Sequence, residues 1–210
     1  MMTASQTEAL NQIHTLQERL TDTWLSYWFR YSHMGTWQYW TYVAMLIVPL
    51  LVLLLLLDRK KAFHFGFFGT NIHIWFSYLD NMGAAQSLWA YPYHIIPSQP
   101  GSFSLDASLV PVVFMLMYQW TVNQQKNYYI YSIGVCVFFA FVLKPVFVVV
   151  GLFQLLNGTN YFHLFVVYVI VALVSKWITT AFLYFQKGQA TLHRARFNIP
   201  RIQYKKQRAD

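Results

Sequence analysis

Residues 128–156 read YYIYSIGVCVFFAFVLKPVFVVVGLFQLL, and the pair Lys144–Pro145 inside that run decides what the fold must provide. The run is apolar enough to cross a bilayer, which takes roughly 20 predominantly apolar residues. A lysine in hydrocarbon costs about 2.5–3.5 kcal/mol on insertion scales unless it snorkels or is paired. The rest of the chain must therefore bring Lys144 water, headgroups or a carboxylate. Asp80 follows the basic stop Arg59-Lys60-Lys61 at nearly the same spacing as Lys144 follows the turn at Asn127. At ~1.5 Å of rise per residue the two reach one depth. A buried Asp80–Lys144 pair is the expectation, with Asp106 as the second acid within reach. The competing readings are a Lys144 that snorkels or meets carbonyls freed by Pro145, and an Asp80 that only caps a helix.

Composition agrees with a multi-pass membrane chain. Of 210 residues, 57% are hydrophobic and 20% aromatic, while only 10% are charged. Soluble chains carry about 25% charged residues. The single cysteine, Cys136, lies inside an apolar run and has no partner within the chain for a disulfide. The N-terminal MMTASQTEALNQ has neither a basic region nor an apolar core, so a cleavable signal peptide is not expected.

Outward from the quoted run, hydropathy and charge divide the chain into an N-terminal segment (1–39), a membrane domain (40–186) and a basic tail (187–210). From Ser5 to Tyr31 an amphipathic helix is expected, opened by a capping box of Ser5 with Glu8. Its apolar stripe is Leu10, Ile13, Leu16, Leu20, Trp24 and Trp28, and its aromatic last turns suit headgroup level. Five spans follow, at 40–57, 62–79, 107–121, 128–156 and 161–184. Pro49 is expected to kink the first mildly, and Gly66 and Gly69 to allow close approach to the second. Residues 81–106 contain no Lys or Arg but many aromatic and proline residues, which reads as an ordered cap lying on the outer membrane face or dipping between spans rather than a solvated linker. The fold class is thus all-α and integral to the membrane. Arg59, Lys60, Lys61, Lys126 and the tail gather on one side, with Arg19 and Arg30 on the other. The positive-inside rule then sets the N-terminus outside and the C-terminus in the cytoplasm.

Few constellations carry chemistry. The intramembrane polar cluster comprises Lys144, Asp80, His73 and Asn71. For His73 an interhelical hydrogen bond is the simpler reading, since no second His or Cys stands at a metal-ligand spacing. Lys176 beside Trp177 reads as an anchor at the inner interface. The outer cap offers Tyr91, Pro92, Tyr93, His94, Pro97, Phe103 and Asp106 as partner-facing residues. Arg59, Lys60, Lys61, Arg194, Arg196, Lys205 and Lys206 are expected to face anionic lipid. No recognition motif accompanies this charge, so no nucleic acid is expected. There is no phosphate-binding loop, dinucleotide fingerprint, nucleophile elbow or paired-carboxylate site. The seven acidic residues leave ordinary acid–base catalysis little to work with, and no cofactor or metal is implied.

Three blocks, Ala90-Tyr-Pro-Tyr-His-Ile-Ile-Pro97, Gly101-Ser-Phe-Ser-Leu-Asp106 and Leu109-Val-Pro-Val-Val-Phe-Met-Leu-Met-Tyr-Gln119, continue into Pro145-Val-Phe-Val-Val-Val-Gly-Leu and Ser175-Lys-Trp177. In order and spacing, over Trp40 to Phe185, the chain resembles an uncharacterised family of small multi-pass membrane proteins from spore-forming Gram-positive bacteria. The resemblance implies a bacterial cytoplasmic membrane and a cap common to the family, and supplies no activity. An acid is expected before the proline in relatives; here Lys144 stands there, so a carboxylate role does not transfer. The expectation is a non-enzymatic membrane component that binds a lipid, peptide or protein partner, or a second copy of itself, through the aromatic cap. The alternative is a small transporter or channel using Lys144, His73 and Asp80, and the third reading is an intramembrane lipid-modifying enzyme.

Overall fold

The computed structural model describes residues 2–97 and 99–197, with side chains up to residue 186. Its elements run α1 (Ala4–Tyr27), α2 (Trp37–Leu56), α3 (Ala62–Ala85), β1 (Trp89–Ala90), α4 (Val110–Asn123), α5 (Tyr128–Phe138), α6 (Lys144–Val149), β2 (Gln154–Leu155) and α7 (Tyr161–Phe197). Among the described residues, four helical stretches are long and apolar enough to cross a membrane: Trp37–Leu56, Leu105–Asn123, Tyr128–Val149 and Tyr161–Gln186. The more polar α3 lies at the centre of the bundle and packs against both α4 and α7.

The ends of the helices meet in register. At one end Gln119 of α4 accepts from the Asp58 amide (2.8 Å) and donates to the Leu56 carbonyl (2.8 Å), tying α2 to α4. At the other, the Tyr42 hydroxyl of α2 donates to the Leu152 carbonyl beyond α6 (2.7 Å). Between these levels the core is a stack of rings, with Phe76, Phe139 and Tyr168 lying nearly parallel at centroid distances of 5.2–5.3 Å.

Two prolines shape the bundle. Proline lacks an N–H and its ring clashes with the carbonyl four residues back, so a straight α-helix cannot hold it without adjustment. Before Pro111 and before Pro145 the helix widens into a π-turn, Leu105–Leu109 and Phe139–Leu143. Val110 and Lys144, which precede the prolines, donate five residues back, to Leu105 and Phe139. One extra residue in a turn rotates all later positions by roughly 100° about the axis. That rotation precedes Lys144, which faces inward. Helical geometry continues through the Lys144–Pro145 step, with Lys144 at φ −64° and ψ −44°. The helix then ends at Val149, short of Leu156, and Gly151 at φ +78° turns the chain back.

Other bounds differ from the sequence reading. The α1 capping box joins Thr3 and Gln6, not Ser5 and Glu8. Both pairs satisfy the spacing rule, and the earlier one lengthens the helix by about half a turn. The α3 helix runs to Ala85, six residues past Leu79, because Asp80 and Asn81 turn into the bundle instead of ending the helix at a surface. Gly69 does allow close approach, since a Cβ there would meet Met115 Sδ of α4 at 2.7 Å, whereas Gly66 faces open space. The all-α expectation needs one amendment: β1 and β2 form a two-residue antiparallel pair, Trp89 with Leu155 and Ala90 with Gln154. This pair fastens the cap to the α6–α7 connection.

Candidate functional site

The cap is built around one carboxylate. Asp80, 3% exposed, accepts the Trp89 indole N–H (3.1 Å) and the Tyr91 hydroxyl (2.7 Å) on Oδ1, and the Ser102 amide (3.1 Å) on Oδ2. Three donors from three points of the cap therefore converge on one side chain of α3. Glycine makes the approach feasible. The Trp89 ring lies where a Cβ on Gly83 would stand, and a Cβ on Gly101 would come within 2.7 Å of Asp80 Oδ2.

Lys144 joins this site through Tyr91. Its Nζ, on a side chain 2% exposed, donates to the Tyr91 hydroxyl at 2.7 Å, and that hydroxyl donates onward to Asp80. The ammonium also lies 3.7 Å from the Phe153 ring centroid and 4.6 Å from that of Tyr91. Such faces attract a desolvated cation by about 2 kcal/mol. The structure thus brings Lys144 and Asp80 together, with a phenol between them. Burial, with the Asp80 carboxylate second, holds the Tyr91 phenol well above its usual pKa, so it stays a donor to Asp80.

Asp106 lies beside the relay. Its carboxyl neighbours both Asp80 and Lys144. Oδ2 accepts from Asn81 Nδ2 at 3.4 Å, while Oδ1 is buried without a partner. The Tyr168 hydroxyl, also in the field of Asp80 and Asp106, is likewise buried and unpartnered. His73 donates from Nδ1 to the Asp106 carbonyl (2.7 Å), a bond between α3 and the start of the next helical stretch. Asn71 turns away from the cluster and donates to the Phe67 carbonyl of its own helix (2.8 Å).

The aromatic cap faces inward. Trp89 and Tyr91 are buried against Asp80, and Tyr93, Pro92, Pro97 and Phe103 are half-buried. Tyr93 accepts from Gln38 of α2 at 3.1 Å. Of the cap residues named from the sequence, Tyr91, His94 and Asp106 are buried, and a buried carboxylate and a buried ammonium draw the Tyr91 hydroxyl into the bundle.

His94 ties the cap to the N-terminal segment. Its carbonyl accepts from the Trp28 indole (2.8 Å) and the Ser32 hydroxyl (3.2 Å), its amide donates to Ser32 Oγ (2.9 Å), and its ring meets Trp24 edge-on at 5.1 Å. Burial pushes its imidazole pKa down to about 4. Between α1 and the cap run two adjoining cavities of about 370 and 360 Å³. Leu20 and Trp24 form one wall, Pro92 and Pro100 border the other, and Ala90 and Tyr91 form the floor. Among the described residues, no charged side chain lines either one.

A second polar group, at the opposite end of the bundle, was hidden from sequence reasoning. Tyr118 Oη lies 2.8 Å from His64 Nε2 and 3.2 Å from Lys176 Nζ, and the ammonium lies 4.7 Å from the Tyr118 ring centroid. Lys176 is therefore turned into the bundle, and Trp177 alone stands exposed as an anchor would. Among the basic residues expected to face lipid, Arg59, Lys60 and Lys61 form an exposed 3-10 turn. Arg194 and Arg196 fall on the helical backbone of α7 beyond the described side chains, and Lys205 and Lys206 lie outside the described residues. Among the described residues, no three His, Cys, Asp or Glu side chains come together as metal ligands would.

Compared with known proteins, the chain matches no family model, no curated protein and no solved structure.

Proposed function

We propose that the chain is a five-span component of a bacterial cytoplasmic membrane that binds an uncharged amphipathic ligand at its outer end, in the groove between α1 and the cap. The fifth span is α3. It is 24 residues long, about 36 Å at 1.5 Å per residue. It starts level with the paired ends of α2 and α4 and reaches the cap. The N-terminus is outside and the C-terminus inside, in keeping with the basic Arg59–Lys61 turn.

The observation that carries this reading is the groove itself. Its floor, Ala90 and Tyr91, is held by Asp80 and Lys144, its wall is a helix with no buried residue, and its lining has hydroxyl, amide and apolar groups without charge. Such a lining fits an acyl chain or an apolar peptide segment and disfavours a charged solute. Leu10, Ile13, Leu16 and Leu20 continue the wall as an exposed apolar stripe suited to a lipid surface. The stripe would lay α1 in the headgroup plane, with the groove open to ligands from the outer leaflet.

Photocrosslinking in native membranes, with the reactive group at Thr23 or Ala84 facing the groove, tests the reading. A lipid or peptide adduct lost on Leu20→Trp, which fills the groove, is the expected result. An adduct spectrum unchanged by Leu20→Trp overturns it.

A second reading, an ion pathway through Lys144, Asp80 and His73, draws on the unpartnered Asp106 Oδ1 and Tyr168 hydroxyl beside the ammonium. Intramembrane ionisable groups often mark such paths. It requires proton or cation flux in liposomes that Lys144→Met abolishes.

A further inference from the structure

The groove and the buried relay leave the other end of the bundle unused. There a crevice of about 300 Å³ opens between the start of α3 and α7, walled by Phe63, His64, Phe67, Thr179, Phe182 and Leu183. Phe67 and Phe182 pack on each other along one side of it, at 5.1 Å between centroids, and Phe63 and Phe182 are largely exposed. Aromatic walls without charge suit an acyl chain.

The mouth of the crevice has the opposite character. His64 lies in the field of both Lys176 and Lys61. Arg59, Lys60 and Lys61 are exposed one turn before it. The nearby acid, Asp58, already accepts from the Lys60 amide (3.0 Å) and from Asn123 Nδ2 (3.4 Å). The α3 helix starts here with no side chain capping its first turn. The positive end of the helix dipole favours an anion. On α7, the Ser175 hydroxyl is wholly buried and unpartnered, one turn from Thr179 of the crevice wall.

From these observations we infer that this crevice is a binding site for one anionic phospholipid. The acyl chain lies along Phe63, Phe67 and Phe182, and the phosphate meets the Arg59–Lys61 turn. A zwitterionic lipid fills the same apolar slot but gains little at the mouth. A free phosphate meets the cations but has nothing for the aromatic walls. The inference rests on the reading of the bundle as membrane-spanning, and it is independent of the groove under α1.

The test uses the full chain in nanodiscs of phosphatidylcholine. Phosphatidylglycerol or phosphatidylcholine with a diazirine in one acyl chain is added in trace amount, and adducts are mapped by mass spectrometry. Adducts on Phe63, Phe67 or Phe182 should form roughly tenfold more readily with phosphatidylglycerol, because each basic residue near an anionic headgroup adds a severalfold preference. Replacing Arg59, Lys60 and Lys61 together by Gln, all on the surface, should bring labelling by the two lipids level. Phe182→Trp should reduce crevice labelling by both. Inorganic phosphate at millimolar concentration should leave the map unchanged. Equal labelling of the crevice by both lipids, or adducts on Leu54 and Leu55 of α2 with none in the crevice, would overturn the inference while leaving the spanning reading intact. Absence of adducts on every helix would overturn both.

Discussion

Charge balance governs the residue scale. Two buried carboxylates, Asp80 and Asp106, stand near one buried ammonium, Lys144, and Tyr91 carries the contact between Asp80 and Lys144. Removing one partner of a buried charged group typically costs about 3–5 kcal/mol, because the other is left uncompensated. Lys144→Met should therefore destabilise the detergent-solubilised protein by about that amount, measured by chemical unfolding. Adding Asp106→Asn to Lys144→Met should recover part of the loss, since groups in one network couple by about 0.5–3 kcal/mol. Strict additivity would show that Asp106 stands apart from the lysine. His94 supplies the pH dependence. Its pKa is about 4 in the fold and about 6.5 in an unfolded chain. The unfolded state thus binds more protons between those values. The contribution of His94 is complete above about pH 6.5 and is lost as pH falls towards 4, a difference of about 3 kcal/mol. Spin labels on Thr23 and Pro92 should report α1 moving away from the cap as pH falls from 7 to 4.5, and His94→Gln should flatten the response.

At the scale of elements, legibility followed periodicity. The apolar parts of α2 and α4 were readable to within a few residues, whereas α6 ends at Val149, seven residues short of the expected bound, and α7 runs on to Phe197, into the stretch read as a basic tail. The far end of α3 was not, because Asp80, Asn81 and Gly83 look like a helix stop until their partners are known. Gly83 is there for the Trp89 ring and Asp80 for the cap donors, and both reasons lie beyond the helix. The cap was legible as ordered, but the choice between lying on the outer face and dipping between the spans was not. Its prolines break every period, so no pattern tells which side of a ring is covered. The π-turns escaped for a related reason. Pro111 and Pro145 announce a disturbance, but whether a helix bends or admits one extra residue depends on what the rotated side chains then meet. The seating of Trp89 gives an element-scale prediction. Gly83→Ala places a Cβ inside the indole, so the Trp89–Asp80 bond should break and the β1–β2 pair loosen. Amide exchange at Leu156, which donates to the Leu88 carbonyl at 2.9 Å, should rise at least tenfold while the helices keep their protection.

For the molecule as a whole, counting residues gave depth and could not give direction around the bundle. Asp80 and Lys144 could be set at one level from the sequence. That Tyr91 would stand between them, and that Tyr118 would meet both His64 and Lys176 at the other end, depends on how five helices are arranged side by side. One prediction belongs to this scale. If the proposed five-span topology holds, with the basic turn inside, a cysteine at Thr3 in a Cys136→Ser background should react with an impermeant maleimide on intact cells. One at Lys126 should react only after lysis. The opposite pattern, or both on one side, would remove the topology. The two-residue pairing of Trp89–Ala90 with Gln154–Leu155 also bears on biogenesis. Strand β1 leaves the ribosome long before β2, and Asp80 long before Lys144. Until the later segments are made, the nascent cap has neither its backbone partner nor its counter-ion. It must wait, folded provisionally or held by an insertase, and chains truncated before Lys144 should be strong substrates for membrane proteolysis even though α2, α3 and α4 are complete.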